Sequence, residues 1–140
     1  MTYATIDALV ARAGEREILQ VADRNSDGAA DPDVIAEALA NADNTIDGYI
    51  ATQYVLPLPV IPGLVTTWAV SIARYWLHRN LPPENVVKDY DDAIAALKDV
   101  ARGQIKLPLP SGATPTTNGG DYLIFAPAEV FGCDTLRGWR

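Results

Sequence analysis

The side chains of this 140-residue chain that could do chemistry are sparse, and the densest group is "DRNSDGAAD", where Asp23, Asn25 and Asp27 fall at alternate positions, Gly28 comes next and Asp31 follows four residues after Asp27. Oxygen ligands at that spacing resemble the first part of a calcium loop, in which positions one, three, five and nine supply side chains and a glycine makes the sharp turn. The twelfth position, which should carry a bidentate glutamate, is Val34. It falls on an apolar helical stripe, so two ligands of about seven are lost and a calcium-driven switch is not expected. The preferred reading is local: Asp31 at a helix N-cap, Pro32 at the first helical position, Asp33 near the positive helix end and Gly28 in a left-handed turn. A structural calcium ion on Asp23, Asn25, Asp27 and Asp31 stays open as the alternative, which would make the chain a calcium-binding interaction module. No cofactor is required by either reading.

Other chemistry is poorly supported, and no catalytic residue is assigned. His78 is the only histidine; it follows Arg74 by four residues near a helix end, where an imidazole suits the helix dipole. Asp89, Asp91 and Asp92 read as an exposed, solvated helix face rather than paired acids. The single Cys133 rules out an internal disulfide or a cysteine-rich zinc site. Phosphate loops and dinucleotide fingerprints are missing. A formal net charge of -7 argues against a general phosphate-backbone binder, which needs a basic surface to displace counterions.

The elements that must position these residues are helical. With 49% hydrophobic and 21% charged residues the chain should fold as one globular unit. The N-terminus shows no secretory-signal pattern, and the uncharged run 54–73 is broken by Pro57, Pro59, Pro62 and Gly63, which excludes a membrane span there. Thr5 caps a short helix ending near Gly14, and a second short helix carries Ile18, Leu19 and Val21. Val34, Ile35, Leu39, Ala42, Ile46 and Ile50 mark one stripe of a long helix. "VLPLPVIPG" is an extended connector, since each proline removes a backbone donor and restricts its predecessor. The following helix is apolar nearly all round, with Leu64, Trp68, Ile72, Tyr75, Trp76 and Leu77 expected inside. Pro82 and Pro83 stop it, and a last helix turns Val86, Val87, Tyr90, Ile94, Leu97 and Val100 inward and ends at Gly103.

The fold class is therefore mainly α: a bundle of four to five helices over residues 1–103, then an extended C-terminal arm over 104–140. Residues 108–120 form a Pro/Gly/Thr-rich loop in that arm, and short β or irregular segments follow it. Leu107, Leu109, Tyr122, Phe125, Val130, Phe131 and Trp139 are the arm's apolar side chains and the expected partner-binding residues, because a free tail with exposed aromatics favours finding a surface, with the arm folding back on the chain's own helices as the open alternative to a partner.

Taken in order, Asp27, Gly28, Asp31 and Pro32, then Ile46, Asp47 and Tyr49, then Tyr54, Leu56, Pro57 and Leu58, and finally Ala73, Arg74 and Tyr75 make the chain resemble the phage Mu-type neck proteins of tailed phages and prophages. The likeness covers residues 1 to about 109 and the closing "VFGCDTLRGW"; at Gly132 and Cys133 the chain departs from the family's more polar pair. The resemblance implies a virion structural protein, not an enzyme, that joins head to tail as a homo-oligomeric ring. Its partners would be further copies of itself, the portal protein and a tail-side neck or tail-completion protein. DNA would pass through the ring without specific binding, past acidic or neutral surface, and no membrane would be involved. The implied location is the virion's head-tail junction, and the host bacterial cytoplasm during assembly.

Overall fold

Helix starts and stops written into the sequence set the architecture of the computed structural model, which describes residues 1–78 and 80–109. Thr5 accepts a hydrogen bond from the Ala8 N–H at 3.3 Å and opens α1 (Ile6–Ala13). Gly14, with φ +86°, turns the chain directly into α2 (Glu15–Ala22). Pro32 starts α3 (Pro32–Ile50) as its first residue. Then come α4 (Gly63–Leu77), entered behind Pro62, and α5 (Glu84–Ala101), entered behind Pro83. No β-strand occurs among the described residues, and no helix among them is long and apolar enough to cross a membrane.

Helices α3 and α4 form the centre, with α5 packed against both, α1 against α4, and α2 between α1 and α3. Where α3 faces its neighbours, Ile35, Ala38, Ala42, Ile46 and Ile50 are buried; α4 contributes Val65, Trp68, Ala69, Ile72, Ala73 and Leu77. Val34 and Leu39, expected on the same α3 stripe, are only partly covered at its edge. Burial of such side chains, worth ~1.5–3 kcal/mol each, is what holds isolated short helices such as α1 and α2 in place.

The connector from α3 to α4 opens with a hydrogen-bonded turn at 51–53, and its proline-rich part, expected to be extended, bends at 56–57 and 59–60; together they close one end of the bundle. Its Tyr54 and Leu58 are buried, and Gln53 donates through Nε2 to the Ala101 carbonyl at 2.9 Å, satisfying an orphan acceptor at the end of α5. Gly103 follows with φ +74°, the left-handed stop that its position predicted. Beyond it Ile105 and Leu107 still pack on the body, and the Leu107 N–H donates to the Tyr54 hydroxyl at 3.1 Å.

Two expectations for α4 are corrected. Leu64 and Trp76 are exposed, while Ser71 and Arg74 are buried. An element that is apolar nearly all round has no periodicity with which to mark its wet side, so that side is set by what neighbouring helices leave uncovered.

Candidate functional site

The acidic loop folds on itself. Asp23 accepts the N–H of Asp27 through Oδ1 at 3.2 Å and of Gly28 through Oδ2 at 3.0 Å, and Asp27 Oδ1 accepts the Ala29 N–H at 2.8 Å. Asn25 also accepts from the Asp27 N–H, at 3.0 Å, while its amide donates to Asp27 Oδ2 and Asp31 Oδ1, both at 3.1 Å. Asp31 stands at the N-cap position of α3, yet its carboxylate makes no cap hydrogen bond. It turns back instead and accepts the Arg24 N–H at 3.0 Å. Capping by the Asp31 side chain is thus corrected: a loop full of unpaired N–H groups competes for that acceptor and wins.

The structure therefore brings Asp23, Asn25, Asp27 and Asp31 together as acceptors for the loop's own backbone. Among the described residues, no group of three or more His, Cys, Asp or Glu is arranged to hold a metal ion. Gly28 has the expected left-handed backbone, φ +85°, and Ser26 shares that region at φ +61°. Asp23→Ala removes two acceptors and is expected to lower unfolding stability by about 1 kcal/mol, read from urea midpoints. Gly28→Ala, for which there is open space but a strained φ, should cost ~1 kcal/mol.

A second polar cluster was not legible in local spacing. Arg74 lies 8% exposed on α4 and grips Glu17 of α2 with both arms, Nε to Oε1 at 2.6 Å and Nη2 to Oε2 at 2.7 Å. His78, the C-cap residue of α4, places Nε2 3.0 Å from the same Glu17 Oε1. Asp89 of α5 lies 3.7 Å from Arg74 Nη1 and accepts from Arg12 of α1 at 3.2 Å. Four helices meet at one charge-assisted network. The hydrogen bond from the Arg74 guanidinium, opposed by burial and aided by the His78 hydrogen bond and then by the Arg74 charge, holds the Glu17 carboxyl below its ordinary range. Glu17 in turn raises Arg74 further.

The expectation that Asp89 sits on a solvated face with Asp91 and Asp92 is corrected accordingly: Asp91 and Asp92 are exposed, but Asp89 is half-buried in this network. Chemically the cluster is a clasp. Its carboxylates are paired with Arg74, Arg12 and the His78 ring.

At the other end of the chain's first element, Tyr3 donates its hydroxyl to Asp47, and its N–H donates to Asp43 at 3.0 Å. Burial, then the Asp47 hydrogen bond and charge, raises the Tyr3 hydroxyl, while burial raises the Asp43 carboxyl. Both interactions fasten the N-terminal segment to α3.

The described surface outside these clusters carries exposed apolar side chains. Leu107 belongs to the chain's own core and Leu109 is half-buried; Tyr122, Phe125, Val130, Phe131 and Trp139, like Cys133, lie outside the described residues. Sequence reading passed over the exposed apolar side chains of the body itself. Leu81 is 96% exposed with φ +49°, Trp76 is 47% exposed, and Ile6, Leu19, Val55, Val60 and Leu64 also face outward. A leucine in the left-handed region is a signal that no composition or spacing reveals.

Comparison with known proteins gives these surfaces a context. Residues 3–124 match the family described as Bacteriophage Mu, Gp36. The Mu-like prophage FluMu protein gp36 of Haemophilus influenzae is 31% identical over 137 residues, 98% of this chain and 97% of that protein. Gene product J of Escherichia phage Mu is 32% identical over 124 residues, 88% of each chain.

Proposed function

This chain belongs to the Bacteriophage Mu, Gp36 family, and from that premise we propose that it is a structural virion protein of a tailed phage or prophage. In this reading it is a neck subunit that assembles as a ring between the portal and the tail-side neck proteins. It binds further copies of itself, the portal and a tail-completion protein, and works without a cofactor or a catalytic step.

The observation that carries the reading is the set of large apolar side chains left outside a well-filled core, above all Leu81 and Trp76. Large apolar side chains left exposed are available as anchors for another macromolecule. The net charge of -7 supports the same reading, because a ring of acidic copies repels the phosphate backbone that slides through it.

Electron microscopy of particles made without this gene tests the proposal. Filled or leaking heads beside free tails support it; normal, tailed, infectious particles overturn it. Leu81 supplies a finer test. Leu81→Asn relieves a left-handed leucine and should leave the melting temperature equal or higher, with a gain of up to ~1 kcal/mol. It also removes an apolar anchor, so that affinity for the adjoining protein falls about tenfold, equivalent to ~1.4 kcal/mol. A variant that is more stable yet joins fewer heads to tails separates contact from folding.

A further inference from the structure

Helices α1, α2 and the start of α3 leave between them an apolar groove of about 450 Å³, walled by Ile6, Val10, Ile18, Leu19, Pro32 and Ile35. Ile6 and Leu19 are 45% and 40% exposed there, so the groove presents greasy walls to solvent with Glu15 as its charged rim. A pocket of this volume accommodates a few large apolar side chains.

We infer that its occupant is the chain's own segment 122–125, "YLIF". Three observations converge on that segment. The first is reach. Leu107 is tied to Tyr54, just past the end of α3, and about 22 Å of helix separates Ile50 from Ile35 at the groove. The thirteen steps from residue 109 to 122 extend to at most ~45 Å, enough to follow the bundle from one end to the other. The second is tethering. A segment anchored to this body by Leu107 meets its own groove at an effective concentration on the order of millimolar, an advantage no free partner has.

The third comes from the family. The match ends at residue 124, so it runs on through "PSGATPTTNGG" and takes in most of the apolar run. Similarly, the aligned span with the Haemophilus relative covers 98% of this chain, which leaves about three residues at most outside it. The segment thus lies within the matched span as far as Ile124. In the docked arrangement we infer, Leu123 and Phe125, which share one face of an extended chain, cover Ile6 and Leu19.

The inference stands apart from the neck reading and is tested on the full chain. In a Cys133→Ser background, Leu19→Cys is paired with Phe125→Cys, and for comparison Asp92→Cys on the exposed side of α5 is paired with Phe125→Cys. Mild oxidation at micromolar concentration is followed by non-reducing mass spectrometry, with helix content checked by circular dichroism. An intramolecular disulfide formed about tenfold or more faster in the Leu19 pair than in the Asp92 pair is the expected result. Equal rates in the two pairs overturn the proposal. Disulfides forming chiefly between chains overturn it too, and assign the groove to a neighbouring copy's segment.

Discussion

Replacing Arg74 with alanine lowers the unfolding free energy by about 3 kcal/mol, the largest loss expected from any polar substitution in the described residues. The guanidinium is 8% exposed and bonds Glu17 at 2.6 and 2.7 Å, with Asp89 at 3.7 Å. Truncation leaves Glu17 with only the His78 ring and Asp89 with only the more exposed Arg12, and it empties the space of a long side chain. Because Glu17 keeps 24% exposure, water relieves part of the penalty and the loss falls at the lower end of the ~3–5 kcal/mol range for broken buried pairs. Arg74→Lys recovers only a fraction, since an ammonium cannot bridge both carboxylate oxygens. A double-mutant cycle of Arg74→Ala with Glu17→Ala should return a coupling of ~2 kcal/mol, and additivity instead would show that packing alone matters at this site.

The same network sets an acid limb. Glu17 has a folded pKa below its ordinary 4.5, so the folded state holds that proton less tightly than the unfolded chain does. Its stabilisation is complete above the ordinary value and is lost as pH falls through the depressed one. Asp43, raised chiefly by burial, acts in the opposite sense and gains stability as it takes up a proton. Comparing wild type with Glu17→Gln at pH 7 and below pH 4 isolates the first effect: the difference in urea midpoint should be large at pH 7 and shrink in acid.

Sequence reading reached the helices because their limits are local events. Thr5, Pro32, Pro62, Pro83 and Gly103 each act within one turn, and the structure places an end or a start at every one. The stripes of α3 and α5 were legible in most positions for the same reason, since polar residues alternate with apolar ones. In α4 that contrast fails, and the clasp could not be seen at all: Arg74 finds Glu17 57 residues away, and Arg12 finds Asp89 77 residues away. The acidic loop shows a different limit. Its residues were identified and its glycine turn was right, but the competition for Asp31 between the helix N-terminus and the loop's own N–H groups depends on geometry that spacing does not encode.

The second large effect belongs to Ile46, where α3 meets its neighbours. Ile46 is fully buried, as are Ala42, Ile50, Ala69, Ile72 and Ala73 around the centre of the bundle. The alanines bring α3 and α4 close together, and close helices cannot collapse further into a void without lifting the side chains above and below it. Ile46→Ala should therefore retain most of its cavity and cost about 3–4 kcal/mol, whereas Ile46→Val, losing one methyl group, costs ~1 kcal/mol. Chemical denaturation checks both, with an unchanged slope confirming that the loss lies in the folded state. The converse change sharpens the test. Ala69→Leu adds volume where none is spare, and a loss of ~1–3 kcal/mol from this larger, more apolar residue would show that closeness of approach, not hydrophobicity, limits the α3–α4 contact. If instead Ala69→Leu were tolerated and Ile46→Ala cost under 1 kcal/mol, the two helices would have to be free to slide, and the clasp at Arg74 would then carry the registration of the bundle.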